Sequence, residues 1–533
     1  GYNVWTNESL DYNVVADSYM SDYYGLDKWF KPEVTLKLNI KPIAGLTFQQ
    51  VLGYENRQWE NHTYNPSTAR EEIENSRKGK AYLGFSKTEN LTSEGYFTYL
   101  RDFKGGHNIN ATAGYSYFEM NGEGFNMTNY NFSVDGIKYW DMGQGSYLSD
   151  GKGEMSSSKN ISEKLFSVFG RVNYSYQDKY MASASIRHEG SSKFAADNRW
   201  ANFWSVTAGW RISNENFMKD IKWVNDLKLR FGYGVTGNND FSSSYMANLL
   251  GSDTNWMLPN GTWAYSYGKT QNVNPNLGWE EKKEWDLGLD YSLFNHRLYG
   301  KFDYFRRKID NLLYSVKVPQ PPYTQGEQYQ NIGSMESKGW EFEIGGRVIE
   351  NKEFSWTSNL NMSHTTGKIL TLWGNNTYYN GNGFVAPGTP GDAARIEEGS
   401  TIGSFYIWKH AGFDDEGNFL LYNKNGEVIP AAEKTENDKQ YIGNYTPALI
   451  LGWTNSFTYK NFDLGINMRS WINFDVYNTI NMYYGIQGRG NTNVLKEAYG
   501  KFNHIKGEKQ ICDYYLEDGT FLKIDAITLG YTL

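Results

Sequence analysis

The stretch FSVFGRVNYSY, residues 166–176, alternates two kinds of side chain along its length. One set of alternate positions is apolar, aromatic or glycine: Phe166, Val168, Gly170, Val172, Tyr174 and Tyr176. The other set is mostly polar and consists of Ser167, Phe169, Arg171, Asn173 and Ser175. Successive side chains of a β-strand point to opposite faces, so this pattern predicts a strand with one apolar and one mostly polar face.

The same alternation recurs along the rest of the chain. Fourteen further segments show it: residues 34–40, 46–54, 95–103, 109–118, 181–189, 204–212, 227–235, 285–293, 298–306, 340–348, 354–362, 450–458, 462–468 and 521–529. The sequence therefore predicts an all-β chain of about fifteen strands of about ten residues, the length that a tilted membrane-spanning strand needs.

The connections between these segments alternate between short and long. Short links are predicted at residues 41–45, 104–107, 177–179, 295–297, 351–353 and 460–462, with a longer one at 213–225 that could carry a short helix. Long excursions cover residues 121–162, 237–280, 366–446 and 475–518. Outer-membrane β-barrels have this asymmetry, with tight periplasmic turns and long extracellular loops. A large soluble β-protein is the alternative, but it has no reason to place its long loops at one end.

The composition agrees with a barrel wall and excludes several classes of protein. Aromatic residues form 17% of the 533 residues, and mean hydropathy is −0.66 without any long apolar run, which excludes a helical membrane protein. The net charge of −8 argues against nucleic acid as a partner. The single cysteine, Cys512, cannot form an internal disulfide. Fifteen or more strands imply a lumen too wide to be filled by side chains alone.

A series of motifs, mostly after residue 160, carries a family resemblance. They are, in chain order, residues 169–176 (FGRVNYSY), 185–194 (SIRHEGSSKF), 208–213 (AGWRIS), 225–238 (NDLKLRFGYGVTGN), 310–314 (DNLLY), 331–339 (NIGSMESKG) and 518–523 (DGTFLK). With these motifs the chain resembles the SusC/RagA family of TonB-linked (TonB-dependent) outer-membrane transporters.

The resemblance implies a transmembrane antiparallel β-barrel of 22 strands, with long extracellular loops, in the cell outer membrane. Residues 1–533 would be a partial TonB-dependent receptor β-barrel domain that supplies roughly the sixth to the twentieth strand. We expect the plug, the TonB box and the last strands to lie outside this sequence, which would be a fragment or a processed piece of a longer protein.

The resemblance also implies a function and a set of partners. The function is active import of oligosaccharides, with oligopeptide import by the same machine, a passive large porin and a surface-binding barrel as alternatives. The partners are a SusD-like surface lipoprotein that acts as a lid and the TonB–ExbB–ExbD complex, reached through the plug. Lipid and lipopolysaccharide would surround the barrel, and a dimer of transporter–lid pairs is expected. We expect no enzymatic activity and no cofactor.

Substrate-binding residues are predicted in the long loops. Sugar rings present flat C–H faces that pack on aromatic side chains, and their hydroxyl groups need amides and carboxylates as partners. Clusters that mix aromatic side chains with asparagine, serine or threonine supply the candidates, which are Trp256, Trp263, Tyr265, Tyr267, Trp373, Tyr378, Tyr379, Tyr483 and Tyr484. The alternative is that these aromatic residues pack the loops together or contact the lid.

Two conspicuous motifs are interpreted as structural. His188 and Glu189 invite a catalytic reading, but neighbouring residues of a strand point to opposite faces. Asp414, Asp415 and Asn418 are weak candidates for a Ca²⁺ site because they concentrate oxygen ligands. They lack the spaced acidic pattern of a calcium loop, so the sequence favours a hairpin turn there and no metal site.

Overall fold

A computed structural model describes residues 18–159, 162–242, 250–372, 378–380, 384, 391–487 and 494–533. Its main feature is one antiparallel sheet of seventeen segments. Two strands of this sheet are interrupted, and each consists of two segments that pair with successive parts of the same neighbour: residues 22–30 with 33–39, and residues 154–159 with 163–176. The sheet therefore has fifteen strands. We call this sheet the wall.

The fifteen wall strands follow one another in chain order, and each pairs with the strand before it. They are β1 (Asp22–Phe30 and Glu33–Asn39), β2 (Leu46–Asn65), β3 (Lys80–Phe103), β4 (His107–Tyr130), β5 (Glu154–Lys159 and Glu163–Tyr176), β6 (Tyr180–Ser191), β7 (Trp200–Arg211), β8 (Val224–Asn238), β9 (Glu280–Leu293), β10 (Leu298–Asp310), β11 (Ser334–Glu350), β12 (Phe354–Thr371), β13 (Leu449–Tyr459), β14 (Phe462–Ile472) and β15 (Phe521–Tyr531). Within the described ranges, β1 and β15 are the two edges of the wall.

Smaller elements lie in the long connections. The helices are Arg70–Glu74, Ser146–Ser149 and Thr479–Tyr484. The short strands form pairs or a triplet: Leu250–Met257 with Trp263–Lys269, Leu313–Lys317 with Glu327–Asn331, Tyr378–Asn380 with Arg395–Glu397, Ser404–Ile407 with Gln440–Asn444, Lys409–Phe413 with Phe419–Tyr422 and Val428–Pro430, and Asp475–Tyr477 with Leu516–Asp518. None of the helices in the described part is long and apolar enough to cross a membrane.

Each wall strand exposes its apolar face on the outside. In β5, Val168 and Val172 keep 45% and 48% of their surface exposed, and Ile186 on β6 keeps 56%. The alternate positions carry charged and amide side chains, for example Arg230 on β8 and Asp303 on β10, which bond to one another across strands. An exposed apolar face opposite a polar face is what a strand between lipid and an aqueous lumen requires. The predicted fold class is therefore confirmed.

The connections divide the wall into two ends. Seven short links join β1 to β2, β3 to β4, β5 to β6, β7 to β8, β9 to β10, β11 to β12 and β13 to β14, and every long connection lies at the opposite end. Gly105 and Gly106 both have positive φ (90° and 84°) in the three-residue link after β3, a backbone conformation that glycine adopts without steric cost. The longer link between β7 and β8 contains two 3₁₀ turns, Ile212–Asn214 and Asn216–Met218.

The strands extend further toward the long-loop end than the sequence predicts. β3 and β4 each contain 24 residues, and their pairing continues to Lys80 and Tyr130. The predicted excursion at 121–162 is therefore shorter, because its first part continues β4. Above the hydrocarbon both faces of a strand are wet, so the alternation disappears from the sequence although the hydrogen-bonded ladder persists.

Candidate substrate-binding vestibule

Two long connections pack together into a folded unit, which we call the cap: residues 391–448 between β12 and β13, and 473–487 with 494–520 between β14 and β15. Its hydrophobic core includes Ile407, Trp408, Leu421, Ile505 and Ile511, all at most 4% exposed. The backbone joins the two halves, since the Trp408 amide donates to the Ile511 carbonyl at 3.0 Å. The cap is thus a small domain with its own core.

Tyr477 and Cys512 form a buried polar contact in the core of the cap. The Tyr477 hydroxyl accepts a hydrogen bond from the Cys512 amide and donates one to the Cys512 carbonyl, both at 3.1 Å. Burial raises the pKa of the Cys512 thiol to about 12, and the same desolvation raises the pKa of Tyr477. Both side chains are therefore neutral and unreactive at physiological pH.

His410 lies among aromatic rings of the cap. Its imidazole is 4.9 Å from the rings of both Phe413 and Tyr514, and its Nε2 is buried without a hydrogen-bond partner in the described part of the chain. Burial lowers the pKa of His410 below its usual 6.5, although the charge of Asp513 partly opposes the shift. The folded cap therefore favours the neutral imidazole.

We expect the cap to lose stability in mild acid. Because the folded-state pKa of His410 is lowered, the unfolded cap binds the proton more readily, so stability is complete above pH 6.5 and falls as the pH drops through 6.5 toward the lowered value. Limited proteolysis of the full-length protein should cut the cap several-fold faster at pH 5 than at pH 8. His410→Phe should remove this difference, whereas His296→Phe in a short link should keep it. An equal pH effect in both variants would contradict the assignment.

Two other long connections are fastened to each other by asparagine side chains. The Asn272 amide donates to the carbonyls of Gln325 and Glu327 at 2.7 and 2.8 Å. The Asn331 side chain accepts from the Gly278 amide at 2.8 Å and donates to the Gly278 carbonyl at 3.0 Å. Side-chain amides thus replace a backbone ladder where these loops meet. We call the surface formed by the long connections at this end of the wall, including the cap, the vestibule.

The predicted substrate-binding residues are distributed over several parts of this end. Trp263 lies in the hairpin between β8 and β9 and is 66% exposed. Tyr484 ends the cap helix and is 37% exposed, whereas Tyr483 beside it is half-buried under the Lys509 ammonium at 4.8 Å from its ring. The backbones of Trp256, Tyr265, Tyr267, Tyr378 and Tyr379 lie in short strands, with side chains outside the described part, and Trp373 lies outside the described residues.

Other aromatic side chains were missed by the sequence analysis. Trp140 is 75% exposed in the loop between β4 and β5, and Tyr499 and Tyr445 are 70% and 55% exposed in the cap. Tyr139 precedes Trp140, and Asn444 and Thr446 flank Tyr445, so the same mixture of residue types could have marked both. Their exposure makes them candidates of the same kind as Trp263 and Tyr484.

The two motifs with a possible chemical role have structural partners. His188 stacks on Trp200 at 4.8 Å and bonds to Asn202, while Glu189 on the opposite face binds Arg187. Asp414 forms the predicted hairpin turn, in which its carboxylate accepts from the amides of Glu416 and Asn418. Among the described residues no group of three or more His, Cys, Asp and Glu side chains could hold a metal ion.

The lumen face carries an ion-pair network below the vestibule. Arg230 on β8 binds both oxygens of Asp290 on β9 at 2.8 and 2.9 Å and Asp303 on β10 at 2.7 Å. A recess of about 420 Å³ adjoins it, lined in part by Arg171 and Lys228. One guanidinium therefore links three neighbouring strands and gives the lumen wall a charged surface.

Removing this guanidinium should destabilise the wall. Arg230→Met leaves Asp290 and Asp303 close together without their cation, and we expect a loss of about 1–3 kcal/mol, the range for hydrogen bonds to charged groups. Adding Asp290→Asn and Asp303→Asn should recover most of the loss. Arg171→Met, on the same face without an ion pair in the described part, is the control. Urea titration of the full-length protein in detergent, read by the heat-modifiable gel shift, measures the change. Equal stability of Arg230→Met and Arg171→Met would contradict it.

A family model and several known proteins match this chain. A family model described as "TonB dependent receptor-like, beta-barrel" matches residues 2–478. TonB-dependent receptor P3 of Formosa agariphila is 30% identical over 97% of this chain and 51% of its own length. TonB-dependent receptor SusC of Bacteroides thetaiotaomicron is 32% identical over 69% of this chain and 38% of its own length. The chain thus spans about half or less of the length of these relatives.

A solved structure shares the fold. The structure described as the RagAB peptide transporter superimposes with a TM-score of 0.81 and 21% identity, over 96% of this chain and 56% of that one. A second, described as the RagAB peptide importer in the "open-open" state, gives 0.80 and 22% over 97% and 55%. These structural similarities show that the wall shares the fold of the two RagAB transporter structures.

Proposed function

The chain belongs to the TonB-dependent receptor-like β-barrel family, whose members are outer-membrane proteins, and from this premise we propose that it forms most of the wall of an importer of oligosaccharides. The short links then face the periplasm and the vestibule faces outward. The family consists of transporters rather than enzymes, so the work is binding and translocation.

The proposal of an oligosaccharide as substrate rests on the exposed aromatic side chains of the vestibule. Trp263, Trp140 and Tyr484 present rings to solvent, and the loop that carries Trp263 is rich in asparagine, serine and threonine. A ring packs against the apolar face of a sugar, while amide and hydroxyl groups orient its hydroxyls. This chemistry suits a neutral oligosaccharide.

Active import needs parts beyond the wall. We propose that a plug fills the lumen, that the TonB–ExbB–ExbD complex pulls on it, and that a SusD-like surface lipoprotein closes over the vestibule, in a dimer of transporter–lid pairs. Substrate would favour the closed lid to the extent that it binds the closed state more tightly. The SusC relative, 32% identical over 69% of this chain, supports a glycan, and the RagAB structure, 21% identical over 96% of it, supports a peptide as the second candidate.

Uptake assays test the substrate and the energy source together. A deletion strain complemented with the full-length gene should take up labelled oligosaccharides, and removing TonB should abolish that uptake. Uptake of oligopeptides alone would instead support the second candidate, a peptide importer. The RagAB structure favours that candidate, because it shares the fold and is described as a peptide transporter. Steady conductance of the purified protein in a planar bilayer would instead indicate a passive porin, and binding without uptake a surface-binding barrel.

A single aromatic substitution tests the vestibule. Trp263→Ala removes an exposed ring without disturbing a core, and we expect oligosaccharide binding to weaken about tenfold, equivalent to 1.4 kcal/mol. Trp223→Ala, which removes a tryptophan that is 54% exposed in a periplasmic link, should leave binding unchanged. Isothermal titration with the full-length protein measures both. Equal affinities of the two variants would remove Trp263 from the site.

A further inference from the structure

The outward face of the wall contains an apolar groove of about 610 Å³. Small side chains form its floor, and larger ones on either side form its walls. One row of paired residues crosses it from β3 to β7 in the order Phe97, Ala113, Gly170, Ile186 and Trp204. Neighbouring strands lie about 4.8 Å apart, so two small residues between large ones leave a channel roughly one hydrocarbon chain wide.

The groove lies in the periplasmic half of the membrane-spanning band. A second paired row begins with Tyr99 and Ala111, and Ala111 comes four positions after His107, where β4 starts at a periplasmic turn. Below this row the outward face becomes aromatic, with His107 stacked between Tyr174 and Tyr176. Aromatic rings gather at the level of lipid headgroups in membrane barrels. The groove therefore opens to acyl chains of the periplasmic leaflet.

Two basic side chains stand where this groove meets the headgroup level. Arg101 shares the outward face with Tyr99 and Phe103; it donates to the Tyr99 hydroxyl at 3.4 Å and lies 5.4 Å from the Phe103 ring. Lys104 follows in the turn, and both side chains are exposed. In the described part of the chain neither forms an ion pair, and the Asp102 carboxylate between them accepts from the Asn108 side-chain amide. Two cations against one carboxylate leave this rim with a net positive charge.

We propose that this groove binds one anionic phospholipid of the periplasmic leaflet. An acyl chain lies between Phe97 and Trp204, and the headgroup phosphate pairs with Arg101 and Lys104. The occupant follows from charge and depth: an apolar channel that ends at a rim with a net positive charge fits a molecule with a hydrocarbon chain attached to an anion. The lipid would act as a bound structural component of the wall.

Lipid titration of the full-length protein tests the proposal. Delipidated transporter in mild detergent is titrated with phosphatidylglycerol, and bound lipid is counted by native mass spectrometry. We expect one tight site, with affinity lowered roughly 30-fold in Arg101→Gln/Lys104→Gln, since each basic residue near anionic lipid contributes about fivefold. Lys352→Gln, at another periplasmic turn, should bind as the parent does.

A second variant tests the groove itself. Gly170→Leu fills the floor without a clash, because a Cβ there would meet nothing nearer than the Thr112 carbonyl at 4.0 Å. It should also lose the tight site, whereas Leu287→Phe, which enlarges an exposed lipid-facing side chain outside the groove, should not. Heat-modifiable gel mobility verifies that each variant is folded.

Three results would overturn the proposal. One is equal phosphatidylglycerol affinity in the parent and both groove variants. Another is full competition by inorganic phosphate, which would show that the acyl chain is not recognised. The third is cross-linking of single cysteines at Ala113 between two copies in the native membrane, which would assign the groove to a second copy of the chain.

Discussion

Phe419→Ala should abolish substrate uptake while the barrel still assembles. Phe419 is 1% exposed in the cap core, and its ring packs against His410, Phe413 and Tyr514. Truncating a buried phenylalanine costs about 3–5 kcal/mol through lost burial and the cavity left behind. A unit as small as the cap has little stability in excess of that loss. We therefore expect the cap to unfold.

The measurements separate the cap from the wall. Limited proteolysis of the full-length variant should cut within residues 391–448, and uptake should fall at least tenfold. The heat-modifiable gel shift should be unchanged, because the wall strands pair with one another and not through Phe419. Val428→Ala, in the same cap but 52% exposed, should behave as the parent. A protease-resistant cap with normal uptake in Phe419→Ala would contradict the assigned core.

Val172→Arg should destabilise the wall far more than a charge on the opposite face of β5. Val172 faces outward and is 48% exposed in the periplasmic half of the membrane band, where an arginine on the lipid face should cost about 1–3 kcal/mol, between the costs at the interface and at the midplane. Its neighbour Asn173 faces the lumen, where Asn173→Arg should change stability by about 0.5 kcal/mol or less. Unfolding of both full-length variants in lipid vesicles with guanidinium measures the difference. Equal losses at the two positions would contradict the orientation of the strand.

Much of the wall could be predicted from the sequence because its two faces meet different solvents. Val168, Val172 and Ile186 lie on the outward face while their neighbours Ser167, Arg171 and Ser185 lie on the lumen face, so apolar and polar residues alternate along each strand. Every predicted segment overlaps one wall strand, and the short links lie where predicted. The ends of β3 and β4 nearest the long loops were not predicted, because neither face of the strand has to be apolar there.

The cap and the binding surface could not be predicted in the same way. Trp408 and Ile511 are more than a hundred residues apart and contact each other through irregular loops, which leave no periodic signal. Trp140 and Trp263 are exposed while Trp408 is buried, although all three are tryptophans in long connections. Only packing decides this difference, and packing between distant loops is not encoded in local pattern. The SusC/RagA resemblance supplied the architecture, not the contacts.

Spin-label scanning of β5 tests the central claim that the apolar face of the wall contacts lipid. Single cysteines are placed at positions 166–174 of the full-length protein in bilayers; native Cys512 can stay, because burial and a pKa of about 12 make its thiol unreactive. Molecular oxygen, which dissolves in hydrocarbon, should collide more often with labels at 166, 168, 172 and 174 than at 167, 169, 171 and 173. Oxygen collision rates that fail to alternate, or that alternate in the opposite phase, would contradict the account.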